Sequence, residues 1–329
     1  MKATGQLDVF FYEAFAEEEE SLRRHLPANV HAGFTSKTIQ ESDDAKPPVP
    51  LVSIRTQSIV PAQWAGSLAG ILTRATGYDG LKRFLLTTGA QVACGYLPLY
   101  CARAVAEQAA LFWLALLRKL PLQTKQFATF YRDGLTGFEC ERKRLLVVGV
   151  GNIGSEIARI GKGLGMDVRG VDISQPHAFV SYVTKEEGLP WADVIVCAMN
   201  LTADNVGYFN YASFVQTKQG VIFVNVARGE MSPPVDLLQL MEEGHLGGVA
   251  LDVFDGESAL AVALRTGKGG EGESVKATLE LAKRPNVICT PHNAFNTVES
   301  VERKSEQSVQ QIEHFLKDGK FLWPVPGAS

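Results

Sequence analysis

Residues 144–172 read RLLVVGVGNIGSEIARIGKGLGMDVRGVD, and the order of residue types in that stretch decides the fold. Arg144–Val148 is a short apolar run of the kind that forms a strand buried on both faces. Gly149-Val150-Gly151-Asn152-Ile153-Gly154 follows with GxGxxG spacing, and a helical pattern runs from Ile153 to Leu164. The spacing has a physical cause. Gly149 permits the tight turn, Gly151 lets backbone N–H groups approach a pyrophosphate, and Gly154 lets helix and strand pack closely. The next strand ends on Asp172, where a carboxylate accepts hydrogen bonds from an adenosine ribose. A 2′-phosphate would be repelled there, and Ile173-Ser174-Gln175 offers no cation to hold one. The expected cofactor is NAD rather than NADP.

Working outward, the alternation continues on both sides. Beyond 144–150 come DVRGVD (167–172), VIVCAM (194–199), VIFVNV (221–226), GVALDVF (248–254) and NVICT (286–290), six β-like runs with helical or irregular intervals. That pattern fits a doubly wound parallel sheet of two mononucleotide-binding halves. Upstream lie LDVFF (7–11), VHAGF (30–34), LVSIR (51–55) and LAGILTR (68–74), which suggest a second α/β unit. EEEE (17–20) followed by SLRRHL reads as one solvated helix face ending in basic residues, and Ser42–Pro50 reads as a loop. Ala104–Leu120 is apolar on nearly every helical face until Arg118, as in a helix buried on all sides. The stretch after Asn296 reads as one amphipathic helix closed by Gly319. Because it follows the last strand, it is expected to return to the N-terminal part. The expected boundaries are a discontinuous first domain, 1–101 with 297–329, and a dinucleotide-binding domain, 102–296.

Composition excludes several classes. The chain has 329 residues, 46% of them apolar and 21% charged, with a net charge of -4, so no electrostatic footprint for nucleic acid or an anionic membrane is expected. AALFWLALL (109–117), the longest plainly apolar run, is far short of the roughly 20 residues a spanning helix needs. Asp8 and Glu13 interrupt the apolar N-terminus, against a signal peptide. The five cysteines are scattered without CxxC spacing, which suits thiols in a reducing cytoplasm better than disulfides or a metal site. No metal is expected.

Ligands in such sheets sit beyond the carboxyl ends of the strands. Arg228 follows VIFVNVA, Glu257 follows ALDVF, and His292 follows NVICT-Pro291. A guanidinium grips a carboxylate through paired hydrogen bonds, an imidazole exchanges a proton with an alcohol or carbonyl oxygen, and a carboxylate orients that imidazole. By residue type alone each has a plainer role: a surface ion pair for the arginine, a solvated loop acid for the glutamate, a structural histidine. Asp255 also competes with Glu257 for the place beside the ring.

Taken in order, GVGNIGSEIARIGKGLGMDVRGVD, VNVARGE, GVALDVFDGE and NVICTPHNAFNT resemble the D-isomer-specific 2-hydroxyacid dehydrogenase family. The likeness covers nearly the whole chain. It is greatest to the members acting on D-lactate, through PLYCARAVAE (98–107) and PHNAF. The resemblance implies a Rossmann-type NAD domain with a smaller flavodoxin-like substrate domain, and interconversion of a 2-oxo acid with a D-2-hydroxy acid, pyruvate and D-lactate first. It implies His292 as acid and base, Glu257 as its partner, and Arg228 as the carboxylate clamp. Toward the cofactor it implies Gly149, Gly151, Asn152, Ile153 and Gly154 at the pyrophosphate and Asp172 at the ribose. Met199, Asn200 and Asn205 are implied on the adenosine side, and Val226, Ala227, Arg228, Asp252 and His292 toward the nicotinamide. Toward the substrate it implies Arg55, Gly77, Tyr78, Tyr100, Arg228 and Phe295, and it implies a homodimer.

The chain departs from the family pattern at Asn200 and Ala102, where proline is usual, and at Asn296, where an aromatic is usual. LRTGKGGEGES (264–274) reads as an inserted Gly-rich loop. The alternatives within the class are hydroxypyruvate, glyoxylate or branched 2-oxo acids. Outside it stands an NADH-sensing binding protein similar to the C-terminal-binding-protein corepressors.

Overall fold

The computed structural model describes residues 7–267 and 269–327. The first strands are β1 (Val9–Phe11), β2 (Ala32–Phe34), β3 (Leu51–Ile54), β4 (Gly70–Thr73) and β5 (Ala93–Gly95), interleaved with α1 (Ala16–His25), α2 (Ile39–Ser42) and α3 (Asp79–Thr88). They pair in parallel in the order β2-β1-β3-β4-β5, the flavodoxin-like order. Tyr12, Trp64, Ile71 and Phe84 pack in the core of this unit.

The chain continues through α4 (Ala102–Leu117), α5 (Leu120–Phe127), β6 (Arg144–Val148), α6 (Asn152–Gly163), β7 (Asp167–Val171), β8 (Ser181–Tyr182), α7 (Lys185–Gly188) and β9 (Val194–Cys197). It goes on through α8 (Tyr211–Phe214), β10 (Val221–Asn225), α9 (Pro234–Glu242), β11 (Leu246–Leu251), α10 (Glu257–Thr266), α11 (Glu273–Leu281) and β12 (Val287–Cys289). This sheet is parallel throughout, in the order β12-β11-β10-β9-β6-β7-β8. Strand order reverses between β6 and β9, the switch point at which such sheets bind dinucleotides. Its central strands are continuous apolar runs because both faces are covered, with the Phe209 ring tilted and the Phe214 ring edge-on against Phe223 of β10.

Finally α12 (Val298–Asp318) returns to the first unit. Thr297 caps its N-terminus by accepting the Ser300 N–H, and left-handed Gly319 closes it by donating to the Phe315 carbonyl. The helix lies so close to β4 that a Cβ on Gly70 would meet the Phe315 ring at 2.5 Å. The compact units run to Cys101 and from Asn296, and from Ala102 to Phe295.

Several sequence expectations are corrected. The second sheet has seven strands rather than six, because the two-residue β8 has no apolar pattern to announce it. The helix of Ala104–Leu120 ends at Leu117, and residues from Leu120 form a separate helix. It is not buried on all sides: Arg103, Glu107 and Leu111, spaced four apart, form an exposed stripe, with the first two ion-paired at 2.6 Å. The EEEE stretch is not wholly solvated, since Glu18 is buried at 3% exposure. Of 264–274, Leu264–Thr266 finish α10 and Glu273–Ser274 start α11, leaving a shorter link in which Lys268 lies outside the described residues.

Candidate active site

β10, β11 and β12 lie side by side and run parallel, so the segments that leave them emerge on one edge of the sheet. Arg228, Glu257 and His292 are carried on those three segments. Arg228 follows β10 in a turn built by Asn225, a fully buried side chain the sequence reading passed over. Its amide donates to the Arg228 carbonyl at 2.9 Å and the Ser232 hydroxyl at 2.8 Å, and its oxygen accepts the Ala227 N–H at 3.0 Å. The turn packs tightly: a Cβ on Gly229 would sit 1.9 Å from the Phe254 carbonyl carbon. The Arg228 guanidinium itself donates to the Ala227 carbonyl at 2.7 Å.

Glu257 is the first residue of α10, entered through left-handed Gly256. Its carboxylate oxygens lie 2.9 and 3.0 Å from His292 Nδ1. A carboxylate only accepts, so Nδ1 is the donor and Nε2 is the nitrogen left for proton exchange. Asp255, the competing acid, instead accepts the Ser274 hydroxyl at 2.7 Å. His292 has a φ of 51°, a left-handed conformation that histidine tolerates better than most side chains.

Asp252 maintains that conformation. Its carbonyl accepts the His292 N–H at 2.9 Å, and its carboxylate takes the Thr290 hydroxyl at 2.5 Å and the Asn293 and Ala294 N–H groups at 2.9 Å. Burial raises its carboxyl above the ordinary carboxylate range, against the lowering effect of those bonds. Thus Asp252 grips the histidine loop from below, a role its place in ALDVF did not reveal.

The loop after β6 has the geometry its glycines imply. Gly149 has a φ of 89° and crosses so near the end of β9 that a Cβ would meet the Met199 nitrogen at 2.6 Å. A Cβ on Gly154 would fall 1.9 Å from the Gly149 carbonyl oxygen, whereas one on Gly151 would meet nothing within 4 Å. Open space at Gly151 before the N-terminus of α6, where Asn152 and Ile153 begin the helix, fits a pyrophosphate. Asp172 follows β7; it accepts the Val150 N–H at 2.6 Å and the Ser174 N–H at 3.0 Å, so its carboxylate is fixed beside the loop. These residues fit a dinucleotide with a free 2′-hydroxyl. After β9, Asn205 ties its own loop together, donating to the Asn200 carbonyl at 2.7 Å and accepting the Thr202 N–H at 2.8 Å. Val226 and Ala227 are buried at the end of β10.

The remaining candidates divide by unit. Phe295 closes the second unit; Arg55, Gly77, Tyr78 and Tyr100 belong to the first. Arg55 follows β3, 3.7 Å from Glu18. Gly77 and Tyr78 lead into α3, with Tyr78 edge-on to Tyr96. Tyr100 is buried after β5, and burial pushes its phenol well above its ordinary range. Glu18 was missed; its signal was a position one helical turn before buried Leu22. Among the described residues no cluster of metal ligands occurs, and no helix is long and apolar enough to cross a membrane.

The family model described as D-isomer specific 2-hydroxyacid dehydrogenase, NAD binding domain, matches residues 110–294. A D-lactate dehydrogenase of Streptococcus agalactiae is 30% identical over 256 residues, 76% of each chain. An aromatic 2-oxoacid reductase of Clostridium sporogenes is 29% identical over 260 residues, again 76% of each. The crystal structure of D-lactate dehydrogenase from Aquifex aeolicus, complexed with NAD and lactic acid, superposes with a TM-score of 0.81 at 26% identity, covering 95% of this chain and 98% of that one.

Proposed function

The chain belongs to the D-isomer specific 2-hydroxyacid dehydrogenase family, and from that premise we propose that it reduces pyruvate to D-lactate with NADH, using His292, Glu257 and Arg228. The observation that carries the chemical part is the His292–Glu257 pair, held on the strand edge that also carries Arg228. Bound NADH supplies the hydride for C2 of the acid. His292 delivers the proton to the carbonyl oxygen from Nε2, with Nδ1 anchored on Glu257. Arg228 holds the acid's carboxylate through a fork of N–H donors and stabilises charge developing on the reacting oxygen. Asp172 and the Gly149–Gly154 loop hold the cofactor, with Met199, Asn200, Asn205, Val226, Ala227 and Asp252 around it, while Arg55, Gly77, Tyr78, Tyr100 and Phe295 shape the acid's binding.

The test is NADH oxidation with pyruvate, hydroxypyruvate, glyoxylate, phenylpyruvate and 2-oxoisocaproate, repeated with NADPH. Pyruvate is expected to give the highest kcat/KM, and NADPH at least tenfold less than NADH, because Asp172 opposes a 2′-phosphate. A clear preference for another acid would replace pyruvate. NADH binding without turnover would favour the sensor reading.

A homodimer in the cytoplasm completes the proposal. Five free thiols suit a reducing compartment. Leu111, Leu120, Phe127, Phe130, Tyr131 and Phe138 are all exposed within one segment of the second unit, and this segment is the surface proposed to meet a second copy. Replacing Leu111 and Phe130 together by glutamate is expected to halve the mass measured by sedimentation. An unchanged mass would place the interface elsewhere.

A further inference from the structure

Glu13 lies just beyond β1 and is 3% exposed, although it carries a carboxylate. Its backbone is left-handed, with a φ of 53°, an uncommon conformation for glutamate. The Glu13 N–H donates to the Lys37 carbonyl and the Ala14 N–H to the Thr35 carbonyl, both at 2.9 Å, so the segment after β2 pins this turn. The side chain reaches the end of β3, the other neighbour of β1. There Glu13 Oε2 accepts the Arg55 N–H at 2.9 Å and the Ser58 N–H at 3.1 Å, while Oε1 accepts the Gln57 N–H at 3.1 Å.

The chemistry explains why an acid stands at this position. Past β3 the N–H groups have left the sheet ladder, and a buried N–H without a partner is costly. A carboxylate only accepts, so one side chain can meet three converging donors. Glutamine cannot do the same, because its NH2 would face at least one of those N–H groups. The far end of the loop is tied to α2: the Ser58 hydroxyl accepts the Ile39 N–H at 3.2 Å, and the Gln40 side chain accepts the Ile59 N–H at 3.0 Å.

Arg55 is therefore fixed at its root by Glu13 and flanked along its length by residues that follow Glu13. Its guanidinium carbon lies 5.2 Å from the centre of the Phe15 ring, and one guanidinium nitrogen lies 3.7 Å from Glu18 Oε2. Phe15 precedes α1 and Glu18 stands in its first turn, so the short stretch Glu13–Glu18 sets both the origin and the course of the Arg55 side chain. Ordering a long side chain before the ligand arrives removes an entropic cost from binding.

We propose that Glu13 is a positioning residue for substrate binding: by holding the Arg55, Gln57 and Ser58 N–H groups, its carboxylate fixes the loop that presents Arg55 to the 2-oxo acid. This inference rests on the reading above that Arg55 shapes the acid's binding. It assigns Glu13 no contact with the acid or the cofactor.

The test is steady-state reduction by the full chain of pyruvate, or of whichever acid in the panel above gives the highest kcat/KM. The KM for the acid, the KM for NADH and kcat are fitted for the wild type, Glu13→Gln, Arg55→Met and the double variant. Glu13→Gln is expected to raise the KM for the acid about tenfold, the size of effect that follows loss of one hydrogen bond to a charged group. The KM for NADH and kcat should stay within about twofold of wild type, as when binding common to ground and transition states is removed. On the Arg55→Met background the same substitution should change the KM for the acid by less than about twofold, because the two residues act as one unit. A full tenfold effect on that background, a parallel rise in the KM for NADH, or a Glu13→Gln enzyme with the wild-type KM would each overturn the proposal. Should Arg55→Met fail to fold, the two KM values of Glu13→Gln decide alone. A folded Arg55→Met enzyme with the wild-type KM would remove Arg55 from the acid's site and this inference with it, while leaving the dehydrogenase reading in place. Absence of turnover by the wild type on any acid would overturn that reading first.

Discussion

His292→Ala is expected to lower kcat for 2-oxo acid reduction about 10³-fold while NADH still binds. The carbonyl oxygen must gain a proton as C2 is reduced, and a positioned general acid contributes about 10²–10⁴-fold to such a step. His292 has the attributes of that acid. Its Nδ1 is committed to Glu257 at 2.9 Å, and its backbone is held by the Asp252 carbonyl, so Nε2 has a defined direction. Removing the ring leaves the Gly149–Gly154 loop and Asp172 intact, and these are the residues assigned to the cofactor's phosphates and ribose. Binding and chemistry should therefore separate in the measurement: fluorescence titration with NADH near wild type, single-turnover reduction lost. Glu257→Gln should fall between the two, because an amide oxygen can still accept from Nδ1 but makes a weaker hydrogen bond than a carboxylate and so orients the ring less firmly. A His292→Ala enzyme within tenfold of wild-type kcat would remove His292 from the proton transfer.

What was legible beforehand follows from how residues signal their surroundings. Parallel strands covered on both faces are continuous apolar runs, so β6, β9, β10 and β11 stand out in the sequence. Gly149 and Gly154 are legible because the backbone tolerates no side chain there: a Cβ on Gly154 would lie 1.9 Å from a carbonyl oxygen, and one on Gly149 2.6 Å from the Met199 nitrogen. Short pieces fail for the opposite reason. The three residues of β5 and the two of β8 are set by neighbouring strands rather than by a pattern of their own. Charge misleads most at Glu18, one of four successive glutamates, whose burial depends on cations 37, 56 and 286 residues further along, at positions 55, 74 and 304. Asn225 and Asp252 are similar cases. Each is a polar residue at a strand end whose partners belong to a turn that only the folded chain brings to it.

Arg228→Lys is expected to lower kcat/KM for the 2-oxo acid by about 10²–10³-fold although the charge is kept, an effect of the size found when one donor to a developing oxyanion is lost. Arginine presents planar, paired N–H donors that match a carboxylate through two parallel bonds, and it retains further donors for a neighbouring oxygen. Lysine offers a single ammonium on a flexible stem and can reach one oxygen well, not two. The surroundings sharpen that difference. Arg228 sits in a turn fixed by the buried Asn225 amide and by the close approach of Gly229 to Phe254, so the backbone has little room to move a shorter head group into place. The guanidinium also donates to the Ala227 carbonyl at 2.7 Å, which braces it against its own turn. Because the carboxylate is bound in both ground and transition states while the oxygen gains charge only in the latter, the loss should appear in KM and kcat together. Arg228→Gln, which keeps hydrogen bonding but removes the charge, should lose at least as much. If Arg228→Lys instead keeps near wild-type turnover, with only KM altered, a point charge suffices and the guanidinium does not touch the reacting oxygen. The charge that stabilises it would then have to come from the His292 imidazolium alone, and His292→Ala should show a correspondingly larger loss in the same assay.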